Sequence, residues 1–213
     1  MHPSRAQLVG ARVLGLAVAV CFLVIAACGS KSEGEPPPSV TAKVKFKGND
    51  RLLNDMAQAL ALDKNEVCNE LGRYSCTQFV HKVALGGVAA YEQGLFEPLP
   101  AATVTSPIAA ERVALSACIT RVDRDLGGAD PVIFAGLDIT RDGKLASVDD
   151  KSVGQVIDTL YKRAVQRPAR SSEIDHLRQL YRDTEKNGST QAARDWAVLG
   201  CFAVMTTLEQ LFY

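Results

Sequence analysis

The amino-acid sequence predicts an all-α fold: a single multi-helix, bundle-like domain with one short β-hairpin near residues 131–148. Apolar residues recur with i, i+3, i+4 spacing through most of the chain after residue 48. Capping residues precede these apolar runs, and glycine or proline follows them. The exception is Asp142-Gly143, which lies between two short apolar runs and suits a tight hairpin turn.

The first helix is predicted after the capping candidates Asn49 and Asp50. The apolar residues that then repeat at helical spacing are Leu52, Leu53, Met56, Ala59 and Leu60. Two capping boxes, Asp63 with Glu66 and Ser75 with Gln78, each predict the start of a short helix.

A longer helix is predicted to begin at Ser106-Pro107, because proline at the first helical position gives up no N–H that the helix needs. Its predicted apolar face consists of Leu115, Cys118, Ile119 and Val122, and Gly127-Gly128 ends it. Beyond the hairpin candidate the helical period returns and ends before Pro168, with an apolar face of Val153, Val156, Ile157, Leu160, Tyr161, Ala164 and Val165.

The last two helices complete the bundle. Ser171 or Ser172 is expected to cap the first of them, and Asn187-Gly188 to end it. The stretch 196–213 is apolar nearly all round, which predicts one helix at the centre of the bundle. Glu209 and Gln210 argue against its being a membrane span.

The N-terminus carries export signals. Arg5 and Arg12 precede an apolar run of fifteen residues, 13–27, which is shorter than the ~20 residues of a membrane span. The run ends in Ile25-Ala26-Ala27-Cys28, which resembles the lipobox of bacterial lipoproteins. The resemblance implies a signal peptide at 1–27, a lipidated Cys28 with a flexible tether at 28–48, and a helical domain at 49–213. The alternative is an uncleaved membrane anchor.

The lipobox resemblance also implies a location. Lipidation would attach acyl chains such as palmitate to Cys28, and several chains together anchor a protein stably in a membrane. The inner-membrane retention signal of bacterial lipoproteins has aspartate after the cysteine, whereas this chain has Gly29. We therefore expect a protein of the cell envelope, bound to membrane lipid, with the outer membrane favoured over the inner.

Charge excludes one class of partner. The chain has 24 basic and 24 acidic side chains. Loss of Arg5 and Arg12 with the signal leaves 22 basic residues and a formal charge of −2. This balance gives no electrostatic reason to expect nucleic-acid binding.

Four cysteines remain after Cys28: Cys68, Cys76, Cys118 and Cys201. In an exported domain they suggest two disulfides, and we prefer the pairs Cys68–Cys76 and Cys118–Cys201. The alternative is four buried thiols.

One segment resembles a calcium loop of the EF-hand or dockerin kind. Asp138, Asp142 and Asp149 occupy its first, fifth and twelfth positions, Thr140 the third and Gly143 the sixth. Calcium is thus the one cofactor that the sequence suggests. The alternative is a solvated Asp-Gly turn that leads into a helix.

Two weaker constellations involve histidine. Cys68, Cys76 and His81 are candidate metal ligands, although their spacing matches no structural zinc pattern, and the alternative is a disulfide beside a surface or capping histidine. Glu173 and His176 share a helix face as in di-iron bundles, but one such motif is too few, which favours an exposed local pair.

The C-terminal third shows a second resemblance, carried by Leu160-Tyr161-Lys162-Arg163-Ala164, Arg167-Pro168, Glu173, Leu177, Leu180-Tyr181 and Leu211-Phe212-Tyr213. This order is similar to an uncharacterised helical domain of exported planctomycete and myxobacterial proteins. That domain often accompanies c-type cytochrome domains. No Cys-x-x-Cys-His occurs here, so haem attachment is not implied, and the resemblance transfers no catalytic residue.

These observations lead to three functional hypotheses. The first is a lipid-anchored, non-enzymatic interaction or accessory subunit with a protein partner in the envelope. The second is a calcium- or ligand-binding module built on 138–149. The third, an envelope enzyme or redox-associated protein, rests on the domains that accompany the C-terminal resemblance.

Overall fold

The computed structural model describes residues 44–70, 72–98, 102–128 and 131–213. The predicted signal peptide, the lipobox with Cys28 and most of the predicted tether lie outside these residues. Within the described part the chain forms an all-α bundle with one two-stranded antiparallel hairpin, which confirms the predicted fold class.

The elements follow one another in chain order. They are α1 (Asn49–Leu60), α2 (Lys64–Val67), β1 (Asn69–Glu70), β2 (Tyr74–Ser75), a π-helical turn (Cys76–Val80), α3 (Ala90–Gln93), α4 (Ser106–Leu126), α5 (Lys151–Val165), α6 (Ser171–Lys186), α7 (Ala192–Met205) and α8 (Leu208–Leu211).

The bundle is organised around α7, which packs on α4 and on α6, while α1 packs on α5. Trp196 of α7 is buried, and its Nε1 donates a hydrogen bond of 2.7 Å to the carbonyl oxygen of Leu177 in α6. Its ring lies edge-on to that of Tyr181, with centroids 6.1 Å apart. The apolar period of 153–165 faces this core, as predicted.

Two helix starts differ from the prediction. Gly48 is the N-cap of α1, and Asn49 is its first residue, whose Nδ2 reaches the carbonyl oxygen of buried Thr77 at 3.3 Å. Arg170 precedes α6 in place of Ser171 or Ser172. There the Glu173 carboxylate accepts the Arg170 N–H at 2.7 Å, so the helix start needs no serine hydroxyl.

The predicted caps at Asp63 and Ser75 are present, but they open different structures. The Asp63 N–H donates to Oε2 of Glu66 at 3.1 Å and α2 follows. The Ser75 hydroxyl accepts the Gln78 N–H at 3.3 Å. The following turn is π-helical, because the His81 N–H reaches the carbonyl of Cys76, five residues back, at 2.7 Å.

The hairpin lies elsewhere than predicted. Around Asp142-Gly143 there is a single antiparallel bridge, Ile139 with Leu145, whereas the two-stranded ladder joins β1 to β2. The bridge has two backbone hydrogen bonds, from the Thr140 N–H to Lys144 at 2.8 Å and from the Ala146 N–H to Asp138 at 2.9 Å. The ladder goes no further because the Leu137 N–H donates to the Phe134 carbonyl at 3.2 Å.

The predicted C-terminal helix is interrupted. α7 ends at Met205, Thr207 is extended, and α8 restarts at Leu208. The Thr206 and Thr207 hydroxyls donate to carbonyls of α7 at 2.8 and 2.9 Å, which is how such residues compete with helix continuation. No helix in the described part of the chain is long and apolar enough to cross a membrane.

The segment 44–48, which the sequence assigns to the tether, is paired with the other end of the described chain. Lys45 and Tyr213 exchange two backbone hydrogen bonds of 3.0 Å, and the Lys47 N–H donates to Leu211 at 2.9 Å. The rings of Phe46 and Phe212 meet edge to face with centroids 5.6 Å apart. The compact unit therefore begins at Val44.

A buried ion pair joins three parts of the fold. Arg121 and Asp125 of α4 are both buried, and the Arg121 Nη2 lies 2.7 Å from the Asp125 Oδ1. The Arg121 Nη1 donates to the carbonyl oxygens of Leu60 and Ala61 at the end of α1. Asp125 accepts three backbone N–H groups, from residues 132, 133 and 134, at 2.7–2.8 Å.

The Asp125→Asn variant should lose about 3–5 kcal/mol of unfolding free energy, because Arg121 would stay buried opposite a neutral amide. Asp123→Asn is the matched control, since Asp123 lies in the same helix in an exposed pair with Arg194; we expect it to cost less than about 1 kcal/mol. Urea denaturation measures both. Equal losses for the two variants would contradict the central role of Asp125.

Two disulfides connect the pairs preferred from the sequence. One disulfide links Cys118 of α4 to Cys201 of α7, whose Cα atoms are 5.7 Å apart. The other links Cys68, the residue before β1, to Cys76 of the π-helical turn, with their Cα atoms 5.4 Å apart. The first closes a separation of 83 residues and the second one of 8. The longer loop removes more entropy from the unfolded chain.

Replacing Cys118 and Cys201 together by alanine should cost about 4–5 kcal/mol, against about 2–3 kcal/mol for Cys68 and Cys76. Guanidinium denaturation of the two double variants gives the comparison. A larger loss for the short loop would show that local packing, rather than loop entropy, dominates.

Candidate functional site

The outer face of α4 carries an exposed apolar stripe, which we name the α4 stripe. It consists of Ile108, Leu115 and Ile119, which together with Arg112 follow i, i+4, i+7 and i+11 spacing and therefore lie on one face of the helix. The opposite face is buried in the bundle. Apolar side chains aligned on an exposed helix face are typical of a surface that binds another protein.

An ion cluster lies beside the α4 stripe. Oε1 of Glu70 in β1 contacts the His81 Nε2 at 2.6 Å and the Arg112 Nη2 at 3.0 Å. The cluster ties the hairpin and the end of the π-helical turn to α4. Tyr74 is opposite Glu70 in the ladder and so shares its face of the ribbon, and its exposed ring stacks on that of Phe79 at 5.3 Å.

A groove of about 450 Å³ runs between the hairpin and α4. Leu115 and Ile119 of the α4 stripe line one side, and Cys68, Asn69 and Glu70 line the other. Arg112 stands at its edge with more than half of its side chain exposed. The lining of the groove thus combines apolar side chains with one cation, Arg112, and one carboxylate, Glu70.

The structure does not join Cys68, Cys76 and His81 in a metal site. Both cysteines are in a disulfide, and His81 bonds to Glu70. This agrees with the alternative given by the sequence, a disulfide beside a histidine. The sequence reasoning did not identify Arg112. The signal that could have identified it is its spacing, since Arg112 lies four residues after Ile108 and three before Leu115 and so shares their helix face.

The calcium-loop candidates are not gathered around one point. Asp149 is ion-paired with Arg182 at 2.8 Å, and the Thr140 hydroxyl donates to the Lys144 carbonyl at 3.2 Å. The Asp138 carbonyl accepts the Ala146 N–H at 2.9 Å, and Asp142 is exposed on the turn. In the described ranges no three His, Cys, Asp or Glu side chains lie close enough together to hold a metal ion.

The turn between these residues packs on the start of α7. Gly143 has a φ of +71°, and a Cβ there would lie 3.0 Å from the Thr190 carbonyl oxygen. Its own carbonyl accepts the Ala193 N–H at 2.9 Å. The glycine therefore has a packing role.

Asp150, and not Asp149, is the N-cap of α5. Its carboxylate accepts the Ser152 N–H at 2.7 Å, and this hydrogen bond lowers the pKa of Asp150.

Glu173 is bonded to Arg167 and not to His176. Two parallel hydrogen bonds of 2.7 and 2.8 Å join the Arg167 guanidinium to the Glu173 carboxylate, and Arg167 also binds Glu209 of α8 at 2.9 Å. The pair clamps the joint between α5 and α6 onto α8. The hydrogen bonds from Arg167 lower the pKa of Glu173 to about 2, from an ordinary 4.5.

The Glu173 pair predicts acid sensitivity. Because the pKa is lower in the folded state, the pair stabilises fully above about pH 4.5, and the contribution is lost as the pH falls toward about 2. At neutral pH the Glu173→Gln variant should melt about 3–6 °C below wild type, and the gap should close in acid. Glu185→Gln, which breaks the exposed pair with Lys144, is the control and should shift melting by less than about 2 °C.

A gap between wild type and Glu173→Gln that persists at the acid end would contradict this assignment. Calorimetric melting across the pH range makes the measurement.

Three comparisons with known proteins found no match to this chain, whether among family models, curated proteins or solved structures. The lipobox and C-terminal resemblances therefore stay predictions.

Proposed function

We propose that this chain is a lipid-anchored interaction subunit of the bacterial cell envelope, which binds a protein partner through the α4 stripe and the groove beside it. The observation that carries the proposal is the stripe itself: three large apolar side chains on one face of a 21-residue helix whose other face is already buried. A solvated helix face would be expected to carry charged residues at these positions.

The disulfides support an oxidising compartment for the domain. Disulfides such as the two of this domain are common in exported proteins and rare in the reducing cytosol. They agree with the export signals at the N-terminus. In the proposal Cys28 carries the lipid and the segment before Val44 spaces the domain from the membrane, with Gly29 favouring the outer membrane.

The shape and charge of the groove favour an amphipathic helix as the bound part of the partner. Leu115 and Ile119 offer one apolar strip for such a helix. Arg112, exposed at the edge, would pair with an acidic residue of the partner, while Glu70 holds the Arg112 side chain in place at 3.0 Å. The subunit needs no catalytic group for this role.

The test uses the full-length tagged chain after mild crosslinking in cells, with quantitative mass spectrometry of stoichiometric partners. Leu115→Gln should reduce recovery of the partner about tenfold, since it places an amide in the centre of the apolar strip. Leu199→Gln on α7 is the matched control, because the two leucines are 40% and 41% exposed. We expect that control to recover the partner as wild type does.

Recovery of the chain alone, or equal recovery by both leucine variants, would refute the interaction surface.

The anchor is tested separately. Cys28→Ser should move the chain from the membrane fraction to the soluble fraction, and an unchanged distribution would refute lipidation at Cys28.

A further inference from the structure

A cationic cleft lies on a different part of the bundle from the α4 stripe. It has a volume of about 420 Å³ and is bounded by α1, by the end of α5 and by α8. Arg51, Lys162 and Arg163 line its walls, and Lys47, from the segment that precedes α1, lines it near Gln210 of α8. Asp55 is the one acidic residue among its lining residues.

Gln210 is a buried donor without a partner. Its side chain is 1% exposed and lines the cleft, and its Nε2 has no hydrogen-bond partner among the described residues. A buried amide left in this state is costly, and in native proteins it calls for an explanation such as a bound group. Gln210 lines the cleft, so an acceptor oxygen that entered beside its side chain and reached Nε2 would satisfy this donor.

The cations of the cleft are differently engaged. The Lys47 Nζ is 2.7 Å from Asp55, and the Arg51 Nε is 3.7 Å from the same carboxylate oxygen. Arg163 is committed to structure, because it donates to the Ala59 and Gln58 carbonyls at 2.6 and 3.0 Å and so closes the end of α1. Arg51 and Lys162 have most of their side chains exposed and can turn toward a ligand.

One carboxylate therefore serves two cations. Lys47 is 7% exposed, so its charge needs a close counter-ion, and Asp55 supplies it. Arg51 is left at a longer distance, and Lys162 pairs outside the cleft lining with Asp158 at 2.6 Å. An anion with several acceptor oxygens would complete the coordination of Arg51 and Lys162 and accept from Gln210 at the same time.

We propose that this cleft binds a phosphate group, with Gln210 as the buried neutral donor and Arg51 and Lys162 as the charged donors. Phosphate carries more charge and more acceptor oxygens than a carboxylate, and so suits a cleft whose donors come from three elements, α1, α5 and α8. The cleft is larger than a phosphate ion, so it has room for a phosphate that belongs to a larger molecule.

Two sources of phosphate fit the surroundings. One is a soluble phosphorylated molecule. The other is a phospholipid headgroup, since the Arg51 guanidinium lies 4.2 Å from the ring centroid of Tyr213, a residue of a neighbouring groove. That groove is apolar except for one carboxylate, and its lining consists of Val44, Leu208, Glu209, Phe212 and Tyr213. The site itself does not depend on the interaction surface proposed above.

The first test is melting of the full-length chain in a nonionic detergent with inorganic phosphate, compared with acetate at the same ionic strength. Phosphate should raise the melting temperature saturably and acetate should not. Arg51→Gln and Lys162→Gln should each weaken the apparent affinity for phosphate about tenfold. Arg73→Gln is the matched control, because that arginine is also exposed and also lies over a tyrosine ring, at 5.4 Å, but away from the cleft.

A second variant tests the site by gain of binding. Asp55→Asn removes the carboxylate that competes with the anion, so the variant should melt lower without phosphate and bind phosphate about threefold to tenfold more tightly. A purely structural role for these cations predicts the lower melting temperature but no gain in affinity. No rise with phosphate, an equal rise with acetate, or equal weakening by Arg73→Gln would each overturn the proposal.

Vesicles distinguish the two sources. The full-length chain is reconstituted in vesicles of digalactosyldiacylglycerol, a neutral lipid without phosphate, or in vesicles of phosphatidylcholine, which has no net charge but carries a phosphate, and the phosphate titration is repeated. If headgroups fill the cleft, the phosphate-induced shift disappears on the phosphatidylcholine vesicles only. If the ligand is soluble, the shift stays on both, and either result supports a phosphate site.

Discussion

The buried pair of Arg121 and Asp125 is the constraint on which the rest of the bundle depends. Its two charges lie one helical turn apart on the inner face of α4, and neither can return to water without opening the core. The guanidinium fixes the end of α1 through two carbonyls, and the carboxylate fixes the backbone of 132–134 through three N–H groups. The pair therefore sets the path of the chain on both sides of α4, and the hydrophobic core fills in around it.

The sequence predicts the helices where local signals agree with packing. The apolar period of 153–165 and the Ser106-Pro107 start are properties of the residues themselves, and both reappear in the structure. It fails where a distant group supplies the missing hydrogen bond. Thr77, 28 residues away, holds Asn49 inside α1, and Asp125 takes the N–H groups of residues 132–134, which lie in the predicted hairpin. No local apolar pattern records such partners.

The candidate surfaces were only partly predictable. The sequence reasoning placed Leu115 and Ile119 on the apolar face of α4 with Cys118 and Val122, but only the last two are fully buried, because the packing of α7 on α4 decides which apolar side chains are covered. The residues of the C-terminal resemblance acquire structural roles: Arg163 closes α1, and Arg167 and Glu173 hold the α5–α6 joint.

The pairing of Lys45 and Lys47 with Tyr213 and Leu211 has a mechanical consequence. Any pull that reaches the domain through the segment before Val44 acts first on these backbone hydrogen bonds, and only then on α1. The pairing of Phe46 with Phe212 would therefore break first under tension. Because Gln210 lies next to Leu211, breaking this pairing would disturb the lining of the cationic cleft before it disturbed the disulfide-linked helices α4 and α7.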